Sequence, residues 1–438
     1  MTSWTNWSGL VRCEPKVIAQ PANEIELADA IRSASSTVRC TGSGHSFTEL
    51  CQSDDTLISL DAMQGVVSVN ASAQTATLKA GTKVHAIGRT LHDAGFGLCN
   101  QGDIDRQSIA GAVSTGTHGT GPSLGSLSSM VAGFRLVTAS GEALECSPKS
   151  NTEIWEAGRV SFGTLGVMSE ITMQVRPAYK LREENWLLRA EDCWRDMARL
   201  RDQHRHFEFF WFPLADAVVA KSLDETTEVV APPLSSEQMF ARGERVTSDQ
   251  RIFEFGCQLA RLVPGLSGPL QRVFTRAAAA GGSRCRWSHE IFPSPRTVRF
   301  NEMEYSVPAA NGVDCIREVA EVVRSRKIAG VFPIEFRFVK ADDIWLSPFY
   351  KRDAVTISVH QYHKQSHDPL FQAVEPVFRR YGGRPHWGKL HTLKQDELSK
   401  LYPQWHAFQA VRRRLDPDTK FLNSYLRTML GVGDGKAA

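Results

Sequence analysis

The chain has 438 residues, which at roughly 150 residues per domain corresponds to two or three folded units. Hydrophobic residues make up 42% of it and charged residues 23%, a balance that excludes a disordered chain, a collagen-like fibre and a disulfide scaffold. With 51 Lys and Arg against 48 Asp and Glu the net charge is only +3, which argues against a nucleic-acid binder, since such proteins carry a strong basic excess.

The nine cysteines are spread along the chain without a Cys-x-x-Cys pair or a Cys/His cluster. An odd number with this spacing favours reduced thiols and argues against both a disulfide framework and a structural zinc site. No apolar run approaches the roughly 18 residues that a transmembrane helix needs. We therefore expect a cytoplasmic protein with no integral membrane segment and no metal, and peripheral membrane association stays open.

The first 178 residues predict alternating helices and strands. Asn23, with Glu26 three residues on, is typical of a helix N-cap. A second helix is predicted from Lys83 to Ala94, ending at Gly95. Runs of β-branched and alternating residues predict two strand pairs and one strand that leads into a glycine turn: Val66 to Val69 with Thr75 to Leu78, Val131 to Val137 with Glu142 to Cys146, and Thr37 to Arg39.

Beyond residue 178 glycine becomes rarer, whereas Trp, Phe and Arg become more frequent. We place a domain boundary there. The stretch from Asp224 to Val246 predicts a polar surface loop, and Cys315 to Arg324 predicts a helix. Glu335 to Phe338 and Ala354 to Tyr362 predict strands.

Three glycine-rich segments lie in the first part of the chain. Residues 41–47 follow a predicted strand, and their bare backbone N–H groups suit an anion. The third glycine of a dinucleotide fingerprint is missing, however, and taken alone the segment is better explained as a tight turn. Residues 100–121 interleave hydroxyls with small and apolar residues, which excludes a flexible linker and suits a long pyrophosphate with a flat ring. Residues 161–167 could approach a ligand closely or merely form a turn, so this segment alone is weak evidence for a binding site.

Two later segments carry charged groups in short, regular patterns. Glu335 and Arg337 share one face of a predicted strand. Such a pair is most often solvated, but a buried pair would suit polyol recognition. Residues 383–390 approach the P-loop pattern, but Leu390 replaces the hydroxyl that would hold Mg²⁺, so we reject nucleotide hydrolysis.

Five motifs occur in a fixed order: GSGHSF, NQGDID-x-QSIAGA-x-STGTHGTG, SFGTLGV, EFRF and RPHWGK. Together they resemble the FAD-linked oxidases of the vanillyl-alcohol-oxidase type, in the aldonolactone oxidase branch with L-gulonolactone and D-arabinono-1,4-lactone oxidases and the related alditol oxidases. The resemblance covers essentially the whole chain. It implies an α+β fold with a PCMH-type two-subdomain FAD-binding module over 1–178, an α+β cap (substrate) domain over 179–380, and a return segment over 381–438 that completes the active site.

The resemblance also implies the site residues. His45 matches the histidine that bonds to the 8α carbon of the flavin, which implies covalent FAD. The other cofactor-binding residues implied are Gly42, Ser43, Gly44, Ser46, Gly102, Ser108, Gly111, Ser114, Thr115, Gly116, His118, Gly119 and Val167. The catalytic groups implied are Glu335, Arg337, His360, Lys389 and Asp103. His360 and Asp103 stand where alditol oxidases carry Thr and Ser, which favours a lactone over an open-chain alditol.

The reaction implied is oxidation of a secondary alcohol of a sugar-1,4-lactone, with hydride transfer to flavin N5. Arg337 and Lys389 are expected to stabilise negative charge, and either His360 or Glu335 to act as the base. Gly102 would leave room for O₂ beside the flavin, which favours an oxidase that produces H₂O₂.

Four alternatives stay open: a dehydrogenase with another electron acceptor, an alditol oxidase, a flavin-free polyol-binding protein and a metal-dependent lactonase. The last is disfavoured because the sequence shows no carboxylate/His cluster with ligand spacing.

Overall fold

Mixed sheets and helices make up the structure, a computed structural model that describes residues 3–230, 248–280, 282–294 and 296–433. The expected α+β class is confirmed. In these ranges no helix combines the length and apolar character needed to cross a membrane. All nine cysteines are free thiols.

The first part of the chain builds three sheets. Its strands are β1 Trp4–Thr5, β2 Arg12–Cys13, β3 Val17–Ala19, β4 Val38–Thr41, β5 Thr56–Ser59, β6 Val66–Asn70, β7 Thr75–Lys79, β8 Phe96–Leu98, β9 Val131–Val137, β10 Ala143–Cys146 and β11 Val167–Pro177. β1 pairs with β2, a parallel sheet has the order β3-β5-β4, and an antiparallel sheet has the order β10-β9-β11-β7-β6 with β8 also on β11. The helices are α1 Glu24–Ser33, α2 Val84–Asp93, α3 Ile109–Ser114 and α4 Thr152–Gly158.

Local sequence signals account for several of these elements. The backbone N–H of Glu26 donates to the Asn23 side chain at 3.0 Å, which confirms the predicted cap of α1. Gly95 follows α2 with φ +85°, a left-handed conformation that costs glycine little. Both predicted strand pairs form, β6 with β7 and β9 with β10.

The second part is dominated by one eight-stranded antiparallel sheet. Its strands are β12 Lys180–Arg189, β13 His206–Phe212, β14 Ala217–Glu225, β15 Arg284–Trp287, β16 Phe300–Pro308, β17 Ile334–Val339, β18 Ala354–Tyr362 and β19 Arg384–Pro385. The spatial order is β15-β12-β14-β13-β17-β18-β16-β19. Within the described residues the later helices are α5 Ala190–Gln203, α6 Ser248–Leu262, α7 Ser267–Ala279, α8 Ser288–Ile291, α9 Gly312–Ser325, α10 Asp368–Arg380, α11 Gln395–Leu401, α12 Trp405–Leu415 and α13 Ser424–Leu430.

The two faces of the large sheet differ in chemistry. Phe336 and Val355 point toward α9, where Gly312 allows the helix to approach closely. The opposite face carries the alternate residues of the central strands, Glu335, Arg337 and others, and faces the glycine-rich segments. Period-two alternation therefore separates an apolar, helix-covered face from a polar face that is available for chemistry.

The predicted boundary at residue 178 falls in the short connection between β11 and β12, and the division into three units stays a prediction. The chain after residue 381 returns to the first part: Val38 N–H donates to the Lys420 carbonyl at 2.8 Å, and Phe47 N–H donates to the Gly388 carbonyl at 2.7 Å. The predicted loop at 224–246 is wrong at its start, because Asp224 and Glu225 still belong to β14, and its residues 231–246 lie outside the described residues.

Candidate active site

A cleft of about 1040 Å³ lies between the glycine-rich segments and the polar face of the eight-stranded sheet. It adjoins a second cleft of about 640 Å³, since Gly42, Ser108 and Thr115 line both. The first cleft is lined mainly by polar and charged side chains and the second mainly by small and apolar ones. The two together form an elongated cavity that is open to a ligand with a ring at one end and a nucleotide at the other.

Most of the expected cofactor-binding residues line this cavity. Those on the first cleft are Gly42, Ser43, Gly44, His45, Ser46, Gly102, Ser108, Gly111, Thr115 and His118. Ser114 and Val167 line the second cleft. Gly116 and Gly119 line neither: Gly116 takes φ +78°, and a Cβ on Gly119 would overlap the Gln101 carbonyl. These two glycines shape the segment that the others present to the cavity.

The first two glycine-rich segments touch each other. A Cβ at Gly42 would overlap the Ser108 hydroxyl, so only glycine allows this approach. Lys83 supports the first segment from α2, since its Nζ donates to Ser43 Oγ at 2.9 Å and to Asp61 Oδ1 at 2.7 Å. The resulting cradle of backbone N–H groups, hydroxyls and a nearby lysine fits the pyrophosphate of FAD.

His45 stands on the wall of the first cleft, with its ring centroid 5.7 Å from that of Trp7. Burial, together with the positive charges of Lys389 and Lys83, lowers the pKa of His45 to about 4. The imidazole is therefore neutral near pH 7. Within the part of the chain that the structure describes, no hydrogen bond engages either ring nitrogen, so the residues present fit a histidine that can bond to a flavin.

Asp103 is the centre of a buried group of ion pairs at one end of the cleft. Its Oδ2 accepts hydrogen bonds from Arg337 Nη2 at 2.8 Å and from Arg296 Nη2 at 2.9 Å. Arg337 also donates to Glu208 at 2.6 Å and to Glu335 at 3.0 Å. Burial would raise the pKa of Asp103, but Arg337 and the other cations outweigh it and lower that pKa well below its usual range.

Glu335 differs from Asp103 although both are buried beside the same arginine. Burial raises the pKa of Glu335 above the ordinary carboxylate value, and the negative charge of Asp103 adds to this, whereas Arg337 and His360 oppose it. A carboxylate that gains a proton more readily than usual is suited to accept one from a substrate hydroxyl.

Lys389, His360 and Glu302 form a second polar group beside the first, with Glu302 and His360 on the neighbouring strands β16 and β18. Lys389 forms an ion pair with Glu302, and His360 Nε2 lies 3.5 Å from the same carboxylate. Burial would raise the pKa of Glu302, but Lys389 and His360 hold it below its usual range. Lys389 Nζ also lies 5.0 Å from the centroid of the Phe47 ring, which places its charge beside the GSGHSF segment.

His118 is held by acceptors on both ring nitrogens. Its Nδ1 faces the Gly119 carbonyl and its Nε2 faces Glu304 Oε1, each at 2.8 Å, and Ser358 Oγ donates to the other oxygen of Glu304 at 2.9 Å. The Gly119 carbonyl and Glu304 therefore fix the orientation of the imidazole next to the second glycine-rich segment.

One expectation about metals is corrected by the structure. Donor atoms of Glu302, Glu335 and His360 all lie within 4.8 Å of one another, so a carboxylate/His cluster with ligand spacing exists after all. The sequence does not show it because the three residues come from β16, β17 and β18. Each glutamate, however, already has a cation beside it, Lys389 or Arg337, so the cluster is compensated without a metal.

The five expected catalytic residues, Glu335, Arg337, His360, Lys389 and Asp103, all line the same cleft. Their roles stay a prediction. The sequence reasoning missed Arg296, Glu302 and Glu304 as cleft residues, and gave His386 no role in the site. A usable signal exists for the two glutamates, because Glu302 and Glu304 alternate with Met303 and Tyr305 in the manner of a two-faced strand.

Gly102 lines the cleft, but a second reason for a glycine appears at this position. A Cβ there would lie 2.9 Å from the His118 carbonyl oxygen, closer than real Cβ atoms approach. Close packing of two backbones therefore explains Gly102 without any path for O₂.

The fold and the cleft define an FAD-binding oxidoreductase, and comparison with known proteins agrees. The FAD binding domain model matches residues 15–147, and the D-arabinono-1,4-lactone oxidase model matches residues 171–429. The chain is 39% identical to the L-gulono-1,4-lactone dehydrogenase of Mycobacterium tuberculosis, over 98% of this chain and 99% of that protein. It is 29% identical to the L-gulonolactone oxidase of Bos taurus, over 96% of each chain.

A solvent-stable cholesterol oxidase has the same fold, with a TM-score of 0.82 and 17% identity over 98% of this chain and 97% of that one. The chain belongs to the D-arabinono-1,4-lactone oxidase family. This confirms the resemblance found in the motifs, the PCMH-type FAD-binding fold and the class of enzyme, an FAD-linked oxidoreductase that acts on CH–OH donors.

Proposed function

We propose that the protein oxidises a secondary alcohol of a sugar-1,4-lactone of the L-gulono- or D-arabinono-1,4-lactone type. The observation that carries the proposal is the set of buried and half-buried acids and bases facing the glycine-rich segments: Glu335, Arg337, Lys389, His360 and Asp103. Paired carboxylates and cations on one wall suit a ligand rich in hydroxyls and carbonyl oxygens. When bound, FAD supplies the acceptor for a hydride at N5.

Glu335 is our choice for the base. Its raised pKa favours uptake of the hydroxyl proton as the carbinol hydrogen leaves as hydride. His360 is the alternative, since it lies beside Glu302 in the same cleft. Arg337 and Lys389 hold substrate oxygens and stabilise negative charge that develops during the reaction.

We also propose that FAD is attached covalently through His45. Support comes from the neutral, partly buried imidazole on the cleft wall and from the GSGHSF motif. The bond to the 8α carbon replaces one hydrogen on the imidazole and one on the flavin methyl group, a two-electron oxidation whose electrons leave to the external acceptor. After acid precipitation the flavin should remain with the protein, whereas His45→Ala should release it, and wild-type FAD in the supernatant would refute the link.

The electron acceptor is proposed to be O₂, with H₂O₂ as product. A dehydrogenase is the second candidate, favoured by the packing explanation for Gly102, which removes the reason for a dedicated O₂ path. The relatives bear names of both kinds.

A panel of lactones and alditols, assayed side by side for H₂O₂ release and for dye reduction, tests the proposal. We expect L-gulono- or D-arabinono-1,4-lactone to reduce the purified yellow protein. A protein that carries no flavin would be a polyol-binding protein, lactone hydrolysis without dye reduction would indicate a lactonase, and preference for an open-chain polyol would indicate an alditol oxidase.

A further inference from the structure

A third cavity adjoins the candidate active site. Arg296 and Phe300 line both. Its remaining wall is largely apolar and includes four more phenylalanines: Phe210, Phe212, Phe253 and Phe332. Phe210 pairs with Glu335 across two strands, so this cavity continues along the same sheet face beyond the charged groups. Nothing in the proposed lactone chemistry uses it.

A row of aromatic rings connects the cavity to the flavin-binding residues. Trp7, beside His45, lies 5.1 Å from Phe300 between ring centroids. Phe300 lies 5.5 Å from Phe332, which in turn lies 5.0 Å from Phe253 of α6. The cavity thus begins at the redox end of the active site and extends beneath α6 toward α7.

The cavity opens outward and has polar groups at its inner end. Ala278 of α7 lies on its rim and is exposed, whereas Val219 and Val298 are buried in its wall. The guanidinium of Arg296 is at the inner end, where it can meet an oxygen that gains negative charge. Among the described residues Arg296 is the one charged side chain on this wall, and an apolar wall with a convergent cation fits a flat, apolar ring that carries a carbonyl oxygen.

We propose that this cavity binds a quinone that serves as electron acceptor in place of O₂, which selects the dehydrogenase named above as the second candidate. The inference rests on the proposed oxidation of a lactone alcohol. The alcohol gives up two electrons and two protons as it becomes a ketone. The quinone takes up two electrons and two protons and becomes a hydroquinone, with the bound flavin carrying the electrons between them. The aromatic rings and the apolar wall hold the quinone ring, and Arg296 faces its carbonyl oxygen.

The other ligands of the enzyme do not match this wall. A free sugar lactone presents several hydroxyls, whereas five phenylalanines predominate in this wall and its polar side chains among the described residues are Gln250, Ser294 and Arg296. A buried hydroxyl left unpaired costs about 1–3 kcal/mol. O₂ is far smaller than the space. The cavity volume of about 340 Å³ lies at the lower end of the usual range for ligand pockets, roughly 300–1,000 Å³, and suits a ring system of the size of naphthoquinone.

Binding of menadione to the oxidised holoenzyme tests the proposal without turnover. We expect isothermal titration to show saturable binding by the wild type, and Ala278→Phe, which fills the rim, to weaken it at least tenfold. The matched control is Ala277→Phe, because Ala277 is equally exposed on α7 but is not part of the cavity wall. With lactone as donor, the ratio of menadione to ferricyanide turnover should fall tenfold in A278F and keep its wild-type value in A277F.

Two results would overturn the proposal. The first is menadione binding that is absent in the wild type or equal in wild type and A278F. The second is a KM for a benzyl-substituted lactone that is at least tenfold below the KM for the free lactone in the wild type but not in A278F. That result would assign the cavity to the substrate. A protein that no lactone reduces with ferricyanide would instead fail the proposed function, while menadione binding would still be measurable.

Discussion

Two carboxylates in one cleft, Glu302 and Glu335, are held in different electrostatic states by their neighbours. Lys389 stands directly against Glu302 and keeps it ionised, whereas burial and the nearby Asp103 raise the pKa of Glu335. Pairs of titratable groups whose pKa values are driven apart often mark acid–base roles. From this difference in pKa we infer that Glu302 holds Lys389 in place and that Glu335 is the group that exchanges a proton.

Glu335→Gln should lower kcat by about one to two decades while FAD stays bound, because a charged hydrogen-bond partner is worth about 1.5–3 kcal/mol. A base must be deprotonated to act, so activity falls as the pH drops through its pKa. With that pKa raised, the acid limb of kcat/KM should lie above the range of an ordinary carboxylate and should vanish in E335Q. Exposed Glu142→Gln is the control, and an unchanged acid limb in E335Q would transfer the role to another group such as His360.

Lys389→Ala should also cost about one to two decades in turnover without loss of FAD. The substitution removes the cation beside Glu302 and leaves that buried carboxylate with His360 as its remaining ion-pair partner among the described residues. Steady-state kinetics and the flavin absorbance of the purified protein measure the two effects separately. Exposed Lys340→Ala serves as control, and near-normal kcat/KM in K389A would remove Lys389 from the active site.

Gly102→Val tests whether Gly102 keeps a path open for O₂. The structure gives this substitution a second effect, because position 102 is closely packed. Since even one Cβ would press on the His118 carbonyl oxygen, we expect G102V to disturb the segment that carries Asp103 and to slow anaerobic reduction by lactone as well as reoxidation. Stopped-flow measurement of the two half-reactions, reduction by lactone and reoxidation by O₂, distinguishes the two effects. If reoxidation slows in G102V while reduction by lactone is unchanged, Gly102 does keep a path open for O₂. If the wild-type enzyme barely reacts with O₂, the dehydrogenase is favoured.

At the scale of elements, local patterns predicted much of the secondary structure. The strand predicted from Ala354 to Tyr362 forms with the same bounds, and Cys315 to Arg324 lies inside α9. These elements have clear signals, β-branched alternation in one case and 3.6-residue periodicity in the other. The burial of Glu335 and Arg337 was not predictable, because it depends on what the first part of the chain places over that face of the sheet.

The remaining gaps in the predicted site have the same physical origin. Arg296 precedes β16 and Glu208 lies on β13, yet both reach the ion pairs around Asp103. Arg296 bonds to Asp103, which is 193 positions away in the chain, and Glu208 bonds to Arg337, which is 129 positions away. Sequence spacing carries no information about pairings that only the strand order of the large sheet creates.

The contact between the first two glycine-rich segments gives a prediction at this scale. Gly42→Ala should force Ser108 away and widen the cradle, so that the purified protein carries at most about a tenth of the wild-type flavin. The ratio of absorbance at the flavin and protein bands measures this. Gly265→Ala is the matched control, since a Cβ there meets nothing within 4 Å, and a normal flavin content in G42A would show that the segments can separate without cost.

For the whole molecule, one of the connections between the first part and the large sheet runs through residues 120 and 121. Gly121 N–H donates to the Phe338 carbonyl at 2.8 Å, and Phe338 N–H donates to Thr120 Oγ1 at 3.1 Å. His206 of β13 completes the junction, with Nδ1 donating to the Thr120 carbonyl at 2.8 Å. A buried imidazole therefore helps to hold the second glycine-rich segment on the large sheet, and its protonation would affect the folded state as a whole.

Burial lowers the pKa of His206 to about 3, and the neighbouring Arg205 and Lys221 act in the same direction, whereas the Thr120 carbonyl and Asp224 oppose it. In the unfolded chain the imidazole returns to its ordinary pKa of 6.5. Between these two pKa values the unfolded chain binds a proton that the folded chain does not, so stability is lost as the pH falls below 6.5. By pH 5 the loss is about 2 kcal/mol from this one group.

His206→Gln should therefore reduce the difference in unfolding free energy between pH 7.5 and pH 5 by about 2 kcal/mol, because Gln can still donate to the Thr120 carbonyl but does not titrate. Urea denaturation at the two pH values measures it. Asp342, with a pKa raised by burial to about 6, gains stability as the pH falls, so only the comparison between variants isolates His206. Val218→Ala, a buried apolar truncation on β14, should lower stability equally at both pH values. A pH dependence in H206Q equal to that of the wild type would show that this imidazole already carries its proton in the folded protein.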